Sequence, residues 1–153
     1  KNILKISSYS KIGHIPASFS IVEILISIYQ FMKHNPKKPN QKNRDYFILS
    51  KGHASLGLYC TLAYFKYFNI KEVYNFGKNG SKFGGHPDRK KIPGVEISAG
   101  SLGHGIGIAV GIALASKIKK EKRKVKWKKE RILEWSPQKR KKELWIQNSE
   151  LCI

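Results

Sequence analysis

Four of the five histidines directly follow a glycine: Gly13-His14, Gly52-His53, Gly85-His86 and Gly103-His104. Imidazole titrates near neutral pH, so it can accept, donate or relay a proton under ordinary conditions. Glycine allows positive φ and close approach of the backbone to a ligand, so each of these rings can be presented from a tight turn. One such pair alone reads as a turn carrying a polar residue. Four in one chain point to a site, and His34, which lacks the glycine, stands outside it. A metal centre is disfavoured, because there is no His-X-His spacing and the only aspartates are Asp45 and Asp88.

The elements that must carry these residues follow from the hydrophobic pattern. "SFSIVEILISIYQFM" (18–32) is apolar on nearly every face, with Ser20 and Glu23 at capping-box spacing, which predicts a deeply buried helix. "KHNPKKPNQKNR" (33–44) is a polar, proline-broken loop. "DYFILS" (45–50) is the one clear strand. After Gly52, Leu56, Tyr59, Leu62 and Ala63 recur at helical spacing over a segment of roughly four turns, and "IKEVYNF" adds a short helix. Residues 77–97 hold five glycines and two prolines and read as a loop, before a helix from about Leu102 to Lys120. His53 therefore ends a strand and opens a helix, where open α/β sheets bind ligands and helix N-termini meet anions.

The stretch "SAGSLGHGIGIAVG" (98–111) holds five glycines but neither of the common nucleotide patterns. Val110 stands where a dinucleotide fingerprint needs its third glycine, and no Gly-Lys-Ser/Thr follows. Gly103, Gly107 and Gly111 recur every four residues, which places them on one helical face suited to close packing.

The chain has 153 residues, room for one ordinary domain, and a net charge of +20 that favours anionic partners. Residues 1–116 carry 16 Lys+Arg against 5 Asp+Glu, and residues 117–153 carry 14 against 5. All 13 glycines lie between Gly13 and Gly111, whereas Trp127, Trp135 and Trp145 all lie beyond them, so the composition breaks there. Cys60 and Cys152 make no ligand spacing or disulfide framework, which fits a reducing compartment. The N-terminus lacks a signal-peptide core, and the apolar run Ile106–Ala115 falls short of the roughly 18 to 20 residues a bilayer span needs. A cytoplasmic protein without a membrane partner is expected. Starting at Lys1 rather than methionine, the sequence is expected to be part of something longer.

"GHIPASFSIVEIL" (13–25), "DYFILSKGHASLGLY" (45–59), "GGHPD" (84–88) and "PGVEISAGSLGHGIGIAVGIALA" (93–115) resemble, in order and approximate spacing, successive motifs of the transketolase N-terminal, thiamine diphosphate-binding domain. The version resembled most is the one in which this domain is a separate N-terminal subunit. The resemblance implies a thiamine diphosphate enzyme of the pentose phosphate pathway that transfers a two-carbon ketol unit between sugar phosphates. It implies that His14 and His86 contact the sugar near its reacting carbonyl and that His53 reaches the diphosphate. It also implies that Gly100, Ser101 and Leu102 line the cofactor with backbone groups. His104 stands where two-domain members commonly carry glutamine and takes a cofactor-adjacent role.

The resemblance is lost after about Val125. The family continues into a strand, a G-D-G turn and a later asparagine that hold magnesium, whereas here no glycine follows Gly111 and no aspartate follows Asp88. The expected fold class is therefore α/β in an incomplete form: a mostly helical thiamine diphosphate-binding fold with one clear strand and the rest of the parallel sheet missing. The apolar faces of 19–32 and 56–65 are then expected to have little to pack on. Residues 1–124 form the partial domain and 125–153 a basic, Trp/Lys-rich tail. Three readings of that tail stand: out-of-frame or truncated sequence, which is preferred; a segment binding nucleic acid through lysines and stacked tryptophans; or a solvated extension. The corresponding alternative function is a noncatalytic basic module acting through 117–153. Under the enzymatic reading the chain alone is inactive, its metal ligands are absent, and its partners are a second copy or a separate C-terminal transketolase subunit.

Overall fold

A computed structural model describes residues 1–118; the expectations for the remainder of the long helix, the tail and its tryptophans lie outside the described residues. Six α-helices follow one another: α1 (Asn2–Ser10), α2 (Ile15–Phe19), α3 (Val22–Phe31), α4 (Ser55–Tyr64), α5 (Ile70–Val73) and α6 (His104–Ile118). A single 3₁₀ turn, Gly52–Ala54, leads into α4.

The expected helix over 18–32 is two helices. Ser18 belongs to α2, and the chain turns at Ser20 and Ile21 before α3 begins. The Ser20–Glu23 capping box does not form: Ser20 ends α2, its hydroxyl donating to the Ala17 carbonyl at 2.9 Å, and the N-cap of α3 falls one residue later, on Ile21. A capping box does occur at α5: the Asn69 side chain accepts from the Lys71 amide at 2.9 Å, and the Asn69 amide donates to Glu72 at 3.0 Å. The helix expected after Gly52 ends at Tyr64, and Lys66 takes a left-handed conformation with φ 68°.

The expected strand at 45–50 is not a strand: no strand is present among the described residues. A strand exists only through a paired neighbour, and among the described residues no second extended run pairs with this one. Its apolar residues are nonetheless committed to the interior: Phe47, Ile48, Leu49 and Ser50 are all buried.

The faces expected to lack partners pack on one another. Leu25 and Tyr29 of α3 and Leu56, Tyr59 and Leu62 of α4 share one core with Phe47, Leu49, Val73, Phe76 and Phe83. Tyr29 joins several of its parts, with ring centroids 5.4 Å from Phe47 and 5.6 Å from Phe65. Nearby, Arg44 grips Glu96 through both terminal guanidinium nitrogens, Nη2–Oε2 being 2.9 Å, and lies over the Tyr46 ring. Burial pushes the Glu96 carboxyl up to about 7 against the opposing pull of Arg44. This fork ties the end of the loop after α5 to the loop after α3.

The glycine face of α6 also departs from expectation. Among the described residues, a Cβ at Gly103, Gly107 or Gly111 would meet nothing within 4 Å. The close approach is at Gly105, where a Cβ would come within 2.5 Å of the Ser50 Cβ.

Candidate functional site

Three of the four Gly-His pairs converge on one turn. Gly13 takes φ 111°, a value open to glycine, and delivers His14 to the start of α2, where its carbonyl accepts the Ser18 amide at 3.0 Å. His53 stands in the 3₁₀ turn at the start of α4, its ring centroid 5.1 Å from that of His14 in an edge-on arrangement. His86 reaches the same turn from the loop after α5: a Cβ at Gly52 would lie 3.1 Å from the His86 ring and 2.6 Å from the Ala99 carbonyl oxygen. Gly52 is therefore glycine because two other segments close on it.

The segment 99–105 is pinned at both ends onto this turn. At one end the Ala99 carbonyl lies on Gly52, and the Ala99 amide donates to the Pro87 carbonyl at 3.2 Å. At the other, the Gly105 amide donates to the buried Ser50 hydroxyl at 2.9 Å, which anchors the first turn of α6. Between the pins, Gly100, Ser101, Leu102, Gly103 and His104 are all exposed, Leu102 by 66%. Gly103 turns the chain with φ 82°, and His104 is the first residue of α6. The structure thus brings His14, His53 and His86 together and sets the 100–104 segment beside them.

The site is electropositive. The His53 ring is held below the ordinary histidine pKa first by burial, then by His14, Lys51 and His86 around it. Lys51 extends toward the α2–α3 junction and donates to the Ser20 hydroxyl at 2.9 Å. A neutral ring among groups able to carry positive charge, beside a glycine-rich segment, suits an anionic ligand such as a phosphate ester or diphosphate. Among the described residues there is no group of three His, Cys, Asp or Glu that could hold a metal ion. Asp45 accepts the Lys33 amide at 2.7 Å. Asp88 accepts the Lys90 amide and the Ser98 hydroxyl at 2.9 and 3.2 Å, bonds that hold its carboxyl below the usual range. Both aspartates among the described residues are thus engaged with backbone amides of their own loops.

Sequence reasoning misses the residues that hold the site rather than face it. Ser50, Lys51, Ser55 and Tyr59 read only as parts of a strand, a turn and an apolar helix face. The available signal is the spacing of Ser55 and Tyr59, one helical turn apart directly after His53.

A small helical domain that gathers imidazoles at a glycine turn, with a glycine-rich segment clipped beside them, has the chemistry to suit a phosphorylated ligand or cofactor. Residues 3–130 match the family described as transketolase, thiamine diphosphate binding domain, and the chain belongs to that family. It is similar to a subunit of the apulose-4-phosphate transketolase of Actinobacillus succinogenes, 43% identical over 61% of this chain and 34% of that protein. It is also similar to the transketolase of Halalkalibacterium halodurans, 46% identical over 50% of this chain and 12% of that one. Among solved structures, Pichia stipitis transketolase in complex with sedoheptulose 7-phosphate superposes with a TM-score of 0.66 at 34% identity, over 75% of this chain and 17% of the other. Campylobacter jejuni transketolase gives 0.66 and 34% over 78% and 19%. The match thus spans about a third of the subunit-type relative and a smaller share of the other three enzymes. No helix among the described residues is long and apolar enough to cross a membrane.

Proposed function

We propose that the chain supplies one half of a thiamine diphosphate-dependent site for transferring a two-carbon ketol unit between sugar phosphates. What supports this reading is the meeting of His14, His53 and His86 at Gly52, beside the doubly pinned 99–105 segment. When bound, thiamine diphosphate supplies the electron sink for breaking a carbon–carbon bond next to a ketose carbonyl. His53, with Lys51 nearby, binds the diphosphate; the backbone of Gly100, Ser101 and Leu102 lies along the cofactor, with His104 adjacent. His14 and His86 hydrogen-bond the sugar at its reacting carbonyl and carry protons between its hydroxyls. The depressed pKa of His53 keeps that ring neutral near pH 7, so it donates one hydrogen bond and keeps one lone pair free.

The remaining half of the site comes from a separate transketolase subunit or from a second copy of the chain, in the cytoplasm, and the chain alone does not turn over substrate. The apulose-4-phosphate and 6-deoxy-6-sulfo-D-fructose transketolase relatives are themselves named as subunits, which supports a divided enzyme. Calorimetric titration of the 153-residue chain with thiamine diphosphate and magnesium tests the half-site. The expected result is no tight binding, while NMR at millimolar cofactor moves signals of His53, Gly100, Ser101 and Leu102. Tight magnesium-dependent binding by the isolated chain would overturn the half-site reading. Signals that move elsewhere would overturn the site.

A further inference from the structure

The loop that carries His86 is built from residues with little conformational preference of their own. Gly84 and Gly85 precede it, neither takes a positive φ, and a Cβ at Gly85 would meet nothing within 4 Å. Neither backbone strain nor packing at these glycines fixes the turn, and paired glycines otherwise sample a wide range of φ and ψ. The restraint comes from α4. The Ser55 hydroxyl donates to the Gly85 carbonyl at 2.8 Å, with Gly84 at 3.4 Å. The Tyr59 hydroxyl lies 3.0 Å from both the Gly84 and His86 carbonyls and shares its single proton between them.

We infer that Tyr59, assisted by Ser55, is a positioning residue for His86: two hydroxyls on one face of α4 hold the Gly84–His86 backbone so that the His86 ring stays beside Gly52. The same helix begins at the turn that carries His53, so a single rigid element spaces the two imidazoles. The effect reaches further, because Pro87, the next residue, accepts the Ala99 amide and thereby locates the start of the 100–104 segment. Burial raises the Tyr59 hydroxyl well above its ordinary pKa, which keeps it a donor. Its ring packs edge-on to Phe83 at 5.3 Å and to Phe76 at 6.2 Å, contacts that phenylalanine would retain.

This inference rests on the functional reading only for its consequence, since the geometry can be tested without ligand. In the full 153-residue chain, Tyr59→Phe should leave the circular dichroism spectrum unchanged. It should shift the ring signals of His86 and His53 and speed exchange of the Ala99 amide roughly tenfold, the scale of one lost hydrogen bond. His34, held among Tyr29, Phe65 and Tyr67, serves as the internal control and should not move. Ser55→Ala should produce the same pattern through the Gly85 carbonyl. Unchanged His86 and His53 signals in Tyr59→Phe would overturn the inference, as would His34 moving in step with them, the mark of general loosening. Moved rings in a chain whose site ignores thiamine diphosphate would instead sink the functional reading and leave the positioning role intact.

Discussion

Helices α4 and α6 begin beside the same histidine turn and read alike in sequence, apolar and rich in small residues, yet their surroundings differ. In α4, eight of ten residues are buried; in α6, only Gly105, Ala109 and Ser116 of fifteen are. Apolar sequence states that a residue is costly to leave in water, not which neighbour will cover it. Helix α4 has neighbours on several sides, from α1, α2 and α3 to the loop carrying Phe83, whereas α6 meets the described body along the edge where Gly105 touches Ser50.

The largest test of this contrast is leucine truncation. Leu62 in α4 is fully buried and Leu114 in α6 is 54% exposed. Leu62→Ala should cost about 2–5 kcal/mol by denaturant unfolding, whereas Leu114→Ala should stay within about 0.5 kcal/mol. Equal losses would mean that α6 is covered in solution as thoroughly as α4.

Glycine substitution sharpens the same comparison with smaller effects. Gly52→Ala drives a Cβ to 2.6 Å from the Ala99 carbonyl, a backbone atom that cannot swing aside as a side-chain tip can. It should destabilise by about 1–3 kcal/mol, with local shifts in the 99–105 segment. Gly107→Ala meets nothing within 4 Å among the described residues and should instead stabilise, by roughly 0.5–1 kcal/mol, through helix propensity. Thermal melts of both variants check the opposite signs.

These contrasts also show what could be read ahead of the structure. The Gly-His motifs were legible because glycine beside a chemically competent ring is a local signal, and the pairing of turn and ring is written in adjacent residues. Gly105 was not legible as the packed glycine, nor Gly103, Gly107 and Gly111 as open ones, because the choice depends on Ser50, far away in sequence. The strand expected at 45–50 failed for a related reason: "DYFILS" has strand composition, but pairing belongs to a neighbour, and composition yields only its burial. The break between α2 and α3 turned on which residue ends one helix and which caps the next. Ser20 could cap the following helix or close the preceding one, and the spacing to Glu23 is silent on which wins. The holding role of Tyr59 was hidden by its burial, since the ring satisfied the apolar pattern and its hydroxyl did not register in it.

The smallest expected effect concerns charge at the start of α4. His53 is held below its ordinary value of 6.5, so as pH falls the unfolded chain takes up this proton before the folded chain does. Stability therefore rises with pH through the window just below 6.5 and is lost as acid charges the ring among His14, Lys51 and His86. His53→Gln should flatten that part of the stability profile, read as the difference between the thermal midpoints of the two chains on either side of the ordinary histidine pKa. An anion seated among these groups offsets their mutual repulsion, so pyrophosphate should move the His53 titration upward toward the ordinary value. A variant whose profile matches the parent chain, or a His53 ring indifferent to pyrophosphate, would mean that the cluster is spaced too widely or solvated too well to act as one electropositive site. The distinction between a crowded α4 entrance and an open α6 flank would then be one of packing alone.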